Sequence, residues 1–316
     1  MPELAKALDA SARLRPAMLW IVAALVVLAY AVVAAELALD MALAATPPQV
    51  TERLAAARQV QPRPNAPLVL AGSGSNLALM QLIAAQCSAE YPPFAAVIDA
   101  GMGSTGGLRA LRDGAIDAAL VSRPLKPDEL APDIARWDYA ESPVAFAVHP
   151  ANPLQGMTAA QAVALYSGEQ PFANKAPVVV FQREKGDSSH VAADAVLPGF
   201  AQANAKAWQN HQFRVLYSDK AMHEALLATP NAVGLVDVSA VRAGHVPLKL
   251  LALNGIAPSS RTVADHSYRP TKLLAIVAHR QQSPALGQLL RCLQGAHGNA
   301  QIVGSDAVPM AVVAHD

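Results

Sequence analysis

From residue 68 to the C-terminus, short apolar runs alternate with segments of helical period, separated by turns rich in Gly, Ser and Asp. Residues 68–71 read as a strand, 77–90 as a helix, 95–99 as a strand, 108–113 as a helix and 116–121 as a strand. That is a βαβαβ unit, which predicts a mostly parallel sheet. A strand at 144–148 leads through Pro150 and Pro153 into a second block. There 158–166 is helical, 178–181 a strand, the segment from Ser188 a helix, 224–227 part of a helix and 234–237 a strand. Strands at 248–253 and 273–278 and a helix at 284–294 close the chain. The proline punctuation predicts two lobes: residues 67–148 build the first, 149–237 the second, and 238–316 return to the first.

The N-terminal part has a different pattern. Residues 17–35 form an uncharged apolar run, preceded at 1–16 by Lys6, Arg13 and Arg15, diluted by Glu3 and Asp9. A membrane-spanning helix needs about 20 apolar residues, and Trp20 and Tyr30 suit positions near the interfaces. The small residues of Val33-Ala34-Ala35 and Ala42-Leu43-Ala44 also offer a peptidase site, so a cleaved signal peptide is the competing reading. Both readings leave 1–16 in the cytoplasm and place everything after the run outside, in the periplasm. Residues 36–66, rich in proline, read as a linker.

Composition narrows the chemistry. The 316 residues carry 24 Lys plus Arg and 24 Asp plus Glu, a balance without the basic excess that nucleic-acid binding requires. Aromatics are 5 % of residues, too few for base-stacking platforms. The nine histidines show no H-E-x-x-H spacing, and no activated nucleophile stands out, so no metal, cofactor or enzymatic step is expected. Cys87 and Cys292 either pair in an oxidising compartment or remain two buried thiols.

Three β–α turns carry the candidate chemistry: Gly72-Ser73-Gly74-Ser75-Asn76, Gly101-Met102-Gly103-Ser104-Thr105-Gly106-Gly107, and Arg183 to His190. Glycines and small hydroxyl residues at helix starts present unpaired N–H groups to an anion. Ligands of open α/β sheets bind beyond the C-terminal ends of the strands, where all three turns fall. Gly101, Gly103 and Gly106 also satisfy G-x-G-x-x-G, and Asp117 or Arg123 would then serve a nucleotide ribose or its 2′-phosphate. An NADP-linked oxidoreductase is therefore the alternative reading. Asp187, Ser188 and His190 lie too close along one helix start for a hydrolase triad, and capping is the local role expected of Asp187 or Ser188.

Taken in order, these turns resemble the phosphate-binding proteins of bacterial ABC transporters, in the two-lobed periplasmic binding protein superfamily. The resemblance rests on residues 72–77, on Gly103-Ser104-Thr105-Gly106-Gly107, on Ser122-Arg123-Pro124-Leu125, on Tyr166-Ser167-Gly168-Glu169, on 183–189 and on 231–236. It implies an α/β, two-lobed periplasmic-binding-protein-like fold of mixed, mostly parallel sheets, preceded by one hydrophobic helix. It also implies capture of phosphate or a related oxyanion by lobe closure, delivery to an ABC permease or use in a membrane-tethered sensor, and a ligand set of Ser75, Asn76, Ser104, Thr105, Ser122, Arg123, Arg183, Asp187, Ser188 and Ser189. The chain departs from the family pattern where Arg123 replaces an acidic residue that accepts the phosphate proton, and where Asp187 replaces a serine. Asp187 is expected to take over the acceptor role and Arg123 to add a cationic donor, unless Asp187 pairs with Arg123 or Lys185. A degenerate domain making only protein contacts is the remaining alternative.

Overall fold

The computed structural model describes residues 68–90, 96–170, 172, 177–281 and 283–315. The apolar run at 17–35 and the linker at 36–66 lie outside the described residues. Among the described residues no helix is long and apolar enough to cross a membrane.

The first lobe opens with β1 (Leu68–Gly72), α1 (Gly74–Glu90), β2 (Ala96–Gly101), α2 (Gly103–Arg112) and β3 (Ala118–Val121). Strand β1 lies between β2 and β3, parallel to both. Strand β4 (Ile134–Val148) follows, then β5 (Gly156–Met157), α3 (Ala159–Tyr166), β6 (Val179–Arg183), α4 (Ser188–Val196), α5 (Phe200–Gln209), β7 (Arg214–Leu216), α6 (Asp219–Ala228) and β8 (Ala232–Asp237). The chain then forms α7 (Val238–Ala243), β9 (Lys249–Leu250), β10 (Ala252–Leu253), α8 (Ser260–Ala264) and β11 (Thr271–His279), before α9 (Pro284–Gln294) and α10 (Ala296–Gly304). The strand order β2-β1-β3-β11-β4-β8-β6-β7 runs through both lobes.

One strand joins them. The first part of β4 pairs antiparallel with β11, from Ile134 opposite His279 to Pro143 opposite Thr271. Its last five residues, from Val144 opposite Asp237 to Val148 opposite Val233, pair with β8 instead. The sequence pattern singles out only this second part, because Arg136 and Asp138 interrupt the apolar run of the first. These two pair with each other at 2.6 Å, and Ala135, Trp137 and Tyr139 alternate with them into the first-lobe core.

Each lobe has its own core. Leu70, Met80, Ile83, Trp137, Ile276 and Leu289 belong to the first, and Phe146, Tyr166, Phe200, Val233, Leu251 and Tyr268 to the second. Parts of the segment after residue 237 therefore belong to the second lobe: Leu251 and Leu253 bury in its core, the Leu251 N–H donates to the Phe146 carbonyl at 2.8 Å, and the Tyr268 hydroxyl donates to the Val144 carbonyl at 2.9 Å. Between β8 and β11 the chain touches both lobes, because Ala243 of α7 packs on the first-lobe core while Leu251 joins the second. In the first lobe Cys87 of α1 and Cys292 of α9 form a disulfide across 205 residues, which decides between the two cysteine readings.

Candidate functional site

A cavity of about 320 Å³ lies where four helix starts meet. Ser73 and Gly74 enter α1, Gly103 to Thr105 begin α2, Asp187 and Ser188 begin α4, and Ser218 and Asp219 begin α6. Two starts are closed by their own caps: Asp187 accepts from the N–H groups of Ser189 and His190, and Ser218 from that of Ala221. The start of α2 has no side-chain cap, and Met102 to Thr105 line the cavity, so the positive end of this helix dipole borders it. The glycine-rich segment read from sequence as a loop is in fact this first turn, entered at Gly103 with φ +73°. Gly74 permits a close approach between lobes: a Cβ there would stand 2.4 Å from Asp219 Oδ2.

Of the residues proposed from sequence, Ser104, Thr105, Arg123, Arg183, Asp187 and Ser188 line the cavity. Ser75, Asn76, Ser122 and Ser189 are buried and bonded within the chain. Asn76 donates to Ser122 Oγ and the Val121 carbonyl and accepts from the Tyr139 hydroxyl; Ser122 donates to Ser73. These contacts fix the β1 and β3 turns, so Asn76 and Ser122 act as pins. Arg123 is clamped by Glu129 through two bonds of 2.6 and 2.7 Å and also donates to Thr105 Oγ1. Its charge is thus answered inside its own lobe.

Asp187 pairs with neither Arg123 nor Lys185. Its Oδ1 serves the α4 cap and His190 Nδ1, and its Oδ2 lies 3.4 Å from Arg183 Nη2. Arg183 spends Nε on Leu216 O and Glu184, bonds Glu184 again through Nη2, and leaves Nη1 with a 3.4 Å pair to Asp219. Burial pushes the Arg183 guanidinium down, but the charges of Asp219, Asp187 and Glu184 outweigh it and hold the group protonated.

Two central residues were missed from sequence. Asp219 joins the lobes, accepting from Ser75 Oγ at 3.1 Å and pairing with Arg183. Lys272 of β11 donates to Ser75 and Ser189 at 2.8 Å and to Ser188 at 3.1 Å, and stands 3.4 Å from Asp237. Its ammonium therefore occupies the point where hydroxyls of both lobes converge. A lone lysine inside the apolar strand T-K-L-L-A-I-V-A-H was the available signal, since a buried lysine requires a partner. For Asp219, the signal was Ser218-Asp219 opening a helix after a strand.

The buried charges have a pH consequence. Burial pushes Asp187 up, but the His190 hydrogen bond and the charges of Arg183, His190 and Lys272 outweigh it and hold the carboxyl well below its ordinary 3.8. A depressed carboxyl stabilises the fold above the unfolded-state value and loses that contribution as pH falls toward the folded-state value. Asp187→Asn keeps the cap and removes the charge. The stability gap between wild type and this variant, measured by urea unfolding, should narrow as pH falls below 3.8. A constant gap would mean that the charge contributes nothing.

The dinucleotide alternative loses its anchors. The Gly101 turn follows β2 at the edge of the sheet, Asp117 Oδ2 accepts from the Val69 N–H at 2.7 Å, and Arg123 is held by Glu129. Asp117 is thus committed to the backbone of β1, and Arg123, although it lines the cavity, is committed to Glu129 and Thr105.

A sequence model of the PBP superfamily domain matches residues 45–291. No curated protein sequence matches the chain. Among solved structures, a phosphate ABC transporter substrate-binding protein with bound phosphate from Clostridium perfringens superposes with TM-score 0.67 at 18 % identity, over 78 % of this chain and 100 % of that one. An ABC-type phosphate transport receptor from Vibrio cholerae gives 0.54 at 20 %, over 76 % and 99 %. The high-affinity periplasmic phosphate-binding protein PfluDING gives 0.57 at 13 %, over 78 % and 91 %. At these identities the likeness establishes the fold.

Proposed function

The chain belongs to the PBP superfamily, and from that premise we propose that it is an extracytoplasmic binding protein that captures an oxyanion of the phosphate class between its lobes. The observation that carries this reading is the uncapped start of α2 facing the buried, permanently charged Arg183 across one cavity. N–H groups of α2, the hydroxyls of Ser104 and Ser188 and Arg183 Nη1, engaged only by its 3.4 Å pair with Asp219, would hold the anion without covalent chemistry. Asp219 is the acceptor for a phosphate proton in this reading, because Asp187 already serves its cap and His190. Sulfate has no proton to offer and is disfavoured there. Closure would present the loaded form to an ABC permease or, with residues 17–35 retained as an anchor, to a sensor partner. The Cys87–Cys292 bond suits an oxidising compartment outside the cytoplasm.

Calorimetry of the full chain with phosphate, sulfate and molybdate tests the reading. Phosphate should bind and sulfate should not. Arg183→Lys, which keeps the charge but loses the planar fork, should weaken phosphate by about tenfold or more, or 1.4 kcal/mol. Asp219→Asn should narrow the gap between phosphate and sulfate. Absence of binding to all three anions would favour a second reading, a domain that makes only protein contacts. That reading is supported by the Lys272 ammonium already satisfying three hydroxyls of the cleft.

A further inference from the structure

We infer that the cleft is built for an esterified oxyanion, a phosphate monoester with an aromatic or apolar group, in preference to the free ion; this deepens the oxyanion reading and rests on it. Enclosing a bare, fully dehydrated oxyanion takes donors on every side. Here inner donors are spent: the Ser75 hydroxyl donates to Asp219 and the Ser122 hydroxyl to Ser73, while Asn76 donates to Ser122 and the Val121 carbonyl. The donors that remain, from α2, Arg183 and Ser188, line a cavity of about 320 Å³, leaving room beyond the anionic head.

The cavity also carries apolar surface that a bare anion cannot use. Met102 is 45 % exposed and Tyr217 is 76 % exposed, and both line it, one from each lobe. Met102 directly precedes α2, and Gly106 leaves it space: a Cβ at Gly106 would stand 3.1 Å from Met102 Cβ and Cγ. Tyr217 directly precedes the Ser218 cap of α6. Two large apolar side chains held at helix starts, beside the anion donors, form a place for the organic part of an ester. A thioether and a phenol both pack favourably on an aromatic ring.

Calorimetry of the full chain with phenyl phosphate and with inorganic phosphate tests this. Phenyl phosphate should bind about tenfold more tightly, as expected for one aromatic contact of this kind. Tyr217→Ala and Met102→Ala should each reduce phenyl phosphate affinity several-fold and leave inorganic phosphate unchanged. Both positions are exposed, so the variants should fold. Inorganic phosphate binding as tightly as phenyl phosphate, or more tightly, would overturn the inference and leave the oxyanion reading standing. Binding of neither would overturn both.

Discussion

Replacing Lys272 with methionine (Lys272→Met) is expected to lower the unfolding free energy by about 3–5 kcal/mol, the cost of breaking a buried ion pair from one side. The side chain is buried and its ammonium serves four groups: Ser75 of the first lobe, Ser188 and Ser189 of the second, and Asp237 at the end of β8. Asp237 is fully buried, and its Oδ1 is taken by Ser142, Ser239 and the Ala240 N–H. Its Oδ2 has no hydrogen-bond partner within the described structure, so the nearby ammonium is its main compensation. Methionine matches the length and apolar volume of the lysine stem and supplies no charge. The double variant Lys272→Met/Asp237→Asn removes both charges and should recover a good part of the loss. Urea unfolding of the three chains measures it. A single variant as stable as wild type would show that the pair only offsets its own desolvation.

Reduction of the Cys87–Cys292 bond should cost about 2–5 kcal/mol, the usual range for a native disulfide. The loop it closes spans 205 residues, so the link removes much of the freedom of the unfolded chain. Both cysteines are buried in the first-lobe core, joining α1 to α9 beside Ile83 and Leu289. Comparing the same chain oxidised and reduced isolates the cross-link, because no atom of the core is removed apart from the S–S bond itself. The unfolding midpoint should fall on reduction with the folded far-ultraviolet spectrum unchanged. Identical midpoints would show that the unfolded chain is already compact around these helices.

The alternation of strands and helices was legible because each element follows from its own few residues. The apolar run at 273–278 became β11, and 284–294 became α9 with Ser283 as its cap. The extra ten residues of β4 were hidden because Arg136 and Asp138 look like surface residues until they pair with each other. The share of residues 238–270 in the second lobe was hidden for a similar reason: Leu251 and Tyr268 join the second core through contacts with Phe146 and Val144, more than a hundred residues earlier in both cases.

By itself the sequence determined the α/β class, the positions of the glycine- and serine-rich helix starts, and the family to which they point. Those properties depend on local periodicity and on turn residues. The tertiary structure decided which of these groups remain available to a ligand. Ser75 meets Lys272 across 197 residues and Asp219 across 144, and no local pattern encodes partners so distant. A hydroxyl can bind a ligand or satisfy a buried charge, and only the folded chain fixes which partner it has, because burial makes an unpaired charge too costly to leave.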